Sequence, residues 1–274
     1  MEDVYVTDTS YYYNYDRREE FIIDVVTCII ISIGLPLTLV AIYCLHSLVR
    51  KDHVAPIYVI NLLISDIIQF CCMIGFVAKP EVPGIDLIYV SSLMASVGFM
   101  VCIALERYLV VACPLWYRSR QTINISVGVC VLVWILSPVC LITLVFCFSL
   151  EFPVIILYIL VLLPLLLLIF FLGGTIAALS ASISVPADEK RRIVATLVLV
   201  LLIYTLLFLP RPILFLKEEF RFNFLPVLFN GFLRLSPLAD LVLCVFMRKG
   251  AIDKILASVC CCRMDSNAFS SLTV

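Results

Sequence analysis

The sequence predicts an all-α fold, a bundle of seven transmembrane helices with a short amphipathic eighth helix after the last. Three observations predict it. Of the 274 residues, 64% are hydrophobic and only 14% charged, whereas soluble domains run at roughly 45–50% apolar and about 25% charged. The mean hydropathy is +1.15. Seven apolar stretches, 21–49, 54–78, 87–112, 122–148, 152–180, 191–216 and 224–247, reach the length of about 20 residues that a helix needs to cross the hydrocarbon core. The same composition excludes a two-domain soluble enzyme, a disordered chain and a collagen-like chain. A net charge of −1 gives nucleic-acid binding no electrostatic basis.

Segment 1–20 reads as an extracellular tail. It carries Glu2, Asp3, Asp8, Asp16, Glu19 and Glu20 and lacks the basic start and apolar core of a secretory signal. The first span must therefore direct insertion itself. Tyr5, Tyr11, Tyr12, Tyr13 and Tyr15 stand among these acids, a composition that predicts a solvated, disordered tail. The spans over 21–248 are separated by short polar breaks such as Arg50-Lys51-Asp52-His53 and Asp188-Glu189-Lys190. Runs such as Val154 to Leu172 are continuously apolar, without the alternation of a barrel strand, so helices are predicted throughout. No internal repeat of the transporter kind interrupts them. Segment 249–274 holds an amphipathic helix, read over Arg248 to Val259, and a tail in which Cys260, Cys261 and Cys262 are candidates for reversible palmitoylation.

Lys and Arg set the orientation. One side of the predicted bundle carries 12 of the 19, from Arg50 and Lys51 to Lys254 and Arg263; the other carries five, Arg17, Arg18, Lys79, Lys217 and Arg221. The first side is expected to be cytoplasmic, with the N-terminus outside and the C-terminus inside, and the chain crossing the lipid bilayer many times. The remaining two, Arg211 and Arg234, fall inside spans.

The third span ends Ala104-Leu105-Glu106-Arg107-Tyr108, with Pro114 following. The second contains Asn61-Leu62-Leu63-Ile64-Ser65-Asp66, the fourth Trp134, the fifth Pro164, the sixth Tyr204 to Pro210, and the seventh Ser236-Pro237-Leu238-Ala239-Asp240. In this order and spacing, over about 21–263, these residues resemble the rhodopsin-like (class A) G-protein-coupled receptors, on the branch of nucleotide, lipid, peptide and proton-sensing receptors. The resemblance implies a plasma-membrane receptor that passes an extracellular ligand signal to a heterotrimeric G protein through Glu106, Arg107 and Tyr108. It implies an ion-linked core at Asp66, with a bound sodium ion, for which Ser92, Ser96 and Asp240 are the candidate co-ligands. It also implies no catalytic activity, and the chain shows no nucleophile–base set, phosphate loop or metal cluster. The chain departs from the family at several positions. Val82 replaces the third-span Cys, and the short loop at Ser149-Leu150-Glu151 lacks its partner. Thr38, Phe208, Leu241 and Cys244 replace the usual Asn, Trp, Pro and Tyr, and Lys190 stands where the acidic lock is expected, with Asp188 or Glu189 as substitutes.

Embedded charges carry the remaining expectations. A charge at mid-membrane costs about 2.5–3.5 kcal/mol on insertion scales. Arg211 and Arg234, with Tyr89 and Phe208, therefore predict a ligand pocket for a carboxylate, phosphate or sulfate. The alternative is an internal ion pair of Arg234 with Asp24 or Asp86. Proton sensing has only carboxylates available, because His46 and His53 both lie in the first cytoplasmic loop. Two other functions stay open: a non-signalling decoy or heteromer partner, and a membrane transporter.

Overall fold

The structure is a computed structural model that describes residues 2–49, 57–78, 83–115, 117, 123–148, 153–181, 187–210 and 231–247. They form α1 Glu2–Val49, α2 Ile57–Ala78, α3 Ile85–Ala112, α4 Ile123–Phe148, α5 Pro153–Ala181 and α6 Ala187–Phe208. A further helical stretch, α7, covers 231–247 with a turn at Arg234-Leu235. Among the described residues six helices are long and apolar enough to cross a membrane: Phe21–Leu45, Ile57–Ala78, Ile85–Ala112, Asn124–Thr143, Val161–Ala181 and Lys190–Phe208. The protein is an all-α, multi-pass membrane bundle.

The helices start and stop within a few residues of the predicted spans, with two differences. The disordered tail is not what the backbone shows, because α1 is helical from Glu2 onward. No Gly or Pro occurs before Gly34, so nothing breaks the helix between tail and span. The sixth helix is interrupted: α6 runs to Phe208, Leu209 forms a bend and Pro210 is again helical, and the rest of the expected span lies outside the described residues. Pro210 and Pro212 follow, and a residue before proline disfavours the helical region. Arg211, Val82, the 149–151 loop, the segment from Arg248 to Val259 and Cys260, Cys261 and Cys262 lie outside the described residues.

α3 is the hub. It packs against α2, α4, α5 and α6, while α1 packs on α2 and α5 on α6. Half of the apolar window of α2 and of α3 is buried, against 22% for α4 and 17% for α5. The interior therefore belongs to α2 and α3. Leu132, Ile135, Ile142 and Leu166 point outward, where lipid rather than water is the natural neighbour. The main core joins Leu62 and Leu63 of α2, Phe99, Met100 and Ile103 of α3, Val200 and Tyr204 of α6 and Leu243 of α7. A smaller cluster of Ile30, Phe70 and Met73 closes the end nearer the start of α3. Hydroxyls within the helices are mostly silenced locally. Thr27, Ser137, Thr175, Thr196 and Thr205 each donate to the carbonyl four residues back, which removes a bare polar group from an apolar medium.

Glycine has a conformational role at Gly84, whose φ of 84° opens α3, and a steric one at Gly34. A Cβ on Gly34 would lie 2.4 Å from Phe70 Cζ and 3.1 Å from Leu238 Cδ2. Phe70 is fully buried and cannot retreat. Gly34→Ala should destabilise the bundle by about 1–3 kcal/mol. Gly173→Ala, with nothing within 4 Å of its Cβ, should be neutral or stabilise by about 0.5–1 kcal/mol. Thermal unfolding of the purified protein in detergent reads both, and equal shifts would show that α1 does not approach α2 this closely.

Candidate functional site

Polar groups inside the bundle gather at three levels. At the middle level stand Asp66 of α2 and Asp240 of α7, both completely buried. Their carboxyls lie within hydrogen-bonding reach of each other. None of their four oxygens receives a hydrogen bond from another described group. Two carboxylates only accept, so a bond between them exists only when one carries a proton. With both ionised they repel unless a cation lies between them. Ser236, one turn before Asp240 on α7, is also buried with its hydroxyl unpartnered among the described residues.

The serines of α3 are placed differently. Ser92 donates to the Tyr89 carbonyl at 2.7 Å. Ser96 Oγ lies 2.8 Å from Ser65 Oγ and accepts from Gln69 Nε2 at 2.9 Å. Ser92 and Ser96 thus spend their hydroxyls within α3 and on the Ser65–Gln69 face of α2, and neither is hydrogen-bonded to Asp66.

The second level lies nearer the start of α3. Arg234 of α7 is half-buried, donates to Thr27 Oγ1 at 2.5 Å, and carries its guanidinium carbon 5.7 Å from the centroid of the Phe76 ring. Phe76 meets Tyr89 edge-on at 5.6 Å. Among the described residues no carboxylate forms an ion pair with Arg234, so the alternative pairing with Asp24 or Asp86 is not what the structure contains. Phe208 stacks on Tyr204 at 5.3 Å, and the Tyr204 hydroxyl donates to the Val161 carbonyl at 2.5 Å, tying α6 to α5.

The third level is the end where α3 finishes and α6 begins. Cys113 ends α3 with its N–H on the Leu109 carbonyl, and the Tyr117 N–H bonds the Cys113 carbonyl at 2.9 Å. This turn brings Tyr117 back to α3, where its hydroxyl donates to Glu106 Oε1 at 2.9 Å. Burial, and then the Glu106 carboxylate, raise the proton affinity of the Tyr117 phenol, so it stays a donor. Glu106 is buried and Arg107 half-buried. Tyr108 stacks on Phe171 of α5 at 5.8 Å and fills the space beside Gly174, whose Cβ would lie 2.6 Å from the ring. Arg192 of α6 donates to the Met247 carbonyl at the end of α7. Nearby, Trp134 Nε1 donates to Asn61 Oδ1 at 3.0 Å and its ring meets Phe99 edge-on at 5.6 Å, pinning α4 to α2 and α3.

Known proteins give this arrangement a context. No family model matches the chain. It is 28% identical over 127 residues to the human Mas-related G-protein coupled receptor member X1, covering 44% of this chain and 39% of that one. It is 29% identical over 123 residues to mouse G-protein coupled receptor 68, covering 40% and 33%. It is 31% identical over 126 residues to rat proteinase-activated receptor 2, covering 41% and 31%. The chain is similar to rhodopsin-like G-protein-coupled receptors. The matched regions span about a third to two fifths of these receptors' own lengths. The relatives are receptors rather than enzymes.

Against this receptor pattern the sequence-predicted residues separate into groups. Asp66 and Asp240 come together; Ser92 and Ser96 sit beside them on another hydrogen-bond network. Tyr89 and Arg234 share the aromatic cluster of Phe76, and Phe208 joins Tyr204 instead. Thr27, Gln69, Phe76, Tyr117 and Ser236 were not singled out from the sequence. Gln69 has a readable signal, one turn from Ser65 on the face that meets Ser96. Thr27 has none, being 207 positions from Arg234.

The acid pair generates a stability test. Asp240→Asn replaces a repelling carboxylate by an amide that donates to Asp66. In sodium-free buffer at neutral pH it should raise the unfolding midpoint, by the equivalent of about 1–3 kcal/mol. A lowered midpoint would mean that the two acids do not oppose each other.

Proposed function

We propose that this protein is a plasma-membrane G-protein-coupled receptor with its N-terminus outside, transmitting an extracellular ligand signal to a heterotrimeric G protein. One observation carries the reading above the rest: Glu106-Arg107-Tyr108 closes α3 with Glu106 tied down by Tyr117 and Tyr108 packed on α5, in a chain similar to such receptors. The mechanism is a population shift. A ligand that prefers the active arrangement draws α6 outward, which breaks the Arg192 bond to the Met247 carbonyl and opens the end of the bundle near Arg107 to the G protein. That bond takes the place of the missing acidic lock, since Lys190 occupies its position. Asp188 is exposed, and the side chain of Glu189 is outside the described ones.

The ligand in this reading is anionic. Arg234 contributes a planar donor fork, of which Thr27 takes one N–H, and Tyr89 and Phe76 supply the apolar wall. Of the other two residues expected there, Phe208 stacks on Tyr204 and Arg211 lies outside the described residues. The core is ion-linked. A sodium ion fits the four donorless carboxylate oxygens of Asp66 and Asp240, with the Ser236 hydroxyl in the place first expected of Ser92 and Ser96. Bound there, it would neutralise the pair and hold α2 to α7. In the last step a palmitoyl group on Cys260, Cys261 or Cys262 would anchor the tail.

Purified protein should catalyse nucleotide exchange on G proteins, and Arg107→Ala should reduce the rate by roughly tenfold or more, the worth of about one lost charged contact. No exchange by the wild type favours the decoy instead, and full exchange by Arg107→Ala removes Arg107 from the coupling role. Arg234→Glu, displayed at the cell surface at wild-type level, should abolish a response elicited by a panel of carboxylates, phosphates and sulfates; an unchanged dose–response removes the anionic pocket. Sodium should raise the unfolding midpoint of the wild type and leave Asp66→Asn unmoved, and a midpoint insensitive to sodium in both rejects the ion.

A further inference from the structure

A groove of about 480 Å³ runs along the outside of the bundle between α5 and α6, on the outer side of the level where α6 begins. Its walls are two facing stripes. α5 contributes Leu179 and Ser180, and α6 contributes Lys190, Arg191, Val194 and Val198. Positions 190, 191, 194 and 198 share one helix face, since residues three and four apart lie above one another. The groove is therefore graded along its length. Lys190 and Arg191 mark one end, at the first residues of the α6 span and beside Ala181, the last residue of the α5 span. Beyond them the lining is apolar for two turns, roughly 12 Å at the helical rise.

We propose that this groove is a binding site for an anionic glycerophospholipid, with its phosphate at Lys190 and Arg191 and an acyl chain along Val194 and Val198. Two features select this occupant. The apolar part lies inside membrane-spanning segments, beyond the reach of a soluble partner, and Val198 and Ile176 are 44% and 46% exposed there. The polar part is cationic and sits at the membrane boundary, so it complements a phosphate bearing net negative charge better than a zwitterionic headgroup. The lining itself holds these two cations and no carboxylate. A lipid seated here touches both helices, so it acts on the spacing of α5 and α6. The inference does not depend on what ligand or transducer the protein serves.

The test uses the purified full chain in detergent, loaded with an equal mixture of phosphatidylserine and phosphatidylcholine of identical acyl chains, with retained lipid counted by native mass spectrometry. Phosphatidylserine should be retained over phosphatidylcholine by roughly tenfold. Lys190→Gln with Arg191→Gln should bring the two to parity. Ala195→Phe, which fills the groove, should reduce both. Unfolding midpoints confirm that the variants are folded, and Ala195→Phe alone carries the test if the charge variant is not. Glycerophosphoserine, which has the headgroup and no chains, should not compete. Equal retention by the wild type, an unaltered preference in the charge variant or effective competition by glycerophosphoserine each overturns the proposal. So does a dimer that Ala195→Phe dissociates, which would assign the groove to a second copy of the chain.

Discussion

Hydrocarbon offers no hydrogen-bond partners, and nearly every feature of this protein follows from that constraint. The backbone satisfies itself within helices. The hydroxyls of Thr27, Thr175 and Thr196 turn back onto their own carbonyls. The Trp134 indole finds Asn61, and the Tyr204 phenol finds the Val161 carbonyl. With those needs met, the few groups left without a donor stand out as places where packing alone explains nothing. Asp66 and Asp240 are foremost among them. Each would be costly alone at that depth. Side by side, they are tolerable only with a proton or a cation between them. A structural role would be served better by one acid and one amide, so the pair points to a variable occupant.

α3 gives this chemistry its layout. Tyr89, Ser92, Ser96, Phe99, Ile103 and Glu106 follow one another at intervals of three or four, a single face of the helix. That face meets Phe76 near one end, Ser65 and Gln69 in the middle and Tyr117 at the other. A closely packed helix does not deform continuously. A shift at the Tyr89 end must therefore be accommodated either by moving α3 as a unit or by repacking its neighbours. Glu106 and Tyr108, fixed by Tyr117, Phe171 and Gly174, sit at the opposite end of α3 from Tyr89.

The spans were legible in the sequence because a membrane accepts only long apolar runs, and Lys and Arg punctuate them. Which side chains meet was less so. Ser92 and Ser96 have the spacing to share one face, but the rotation of α2 presents Ser65 and Gln69 to Ser96, and Ser92 turns back to the Tyr89 carbonyl. Asp66, one residue on from Ser65, is turned by about 100° on the helix and faces α7. A single residue of phase thus separates the expected serine–aspartate site from the observed aspartate pair, and no pattern within one helix fixes that phase. Arg234 is a second instance. Its embedded charge was visible, and carboxylates were the obvious partners to expect. The structure gives it a hydroxyl and an aromatic ring instead.

That substitution bears on what Arg234 is for. An aromatic face and a hydroxyl stabilise a guanidinium without neutralising it. Of its five N–H donors the described residues accept one, through Thr27. An internal ion pair would have used the planar fork and closed the position to anything else. A ring below and a single anchor at one nitrogen hold the fork in place while its other donors are not taken by the described residues. A lysine would not serve equally, because its ammonium is a point charge without a plane to stack on Phe76 or a paired edge to offer. The residue type, its neighbours and the missing carboxylate therefore agree on one property, a cation fixed in position and only partly satisfied.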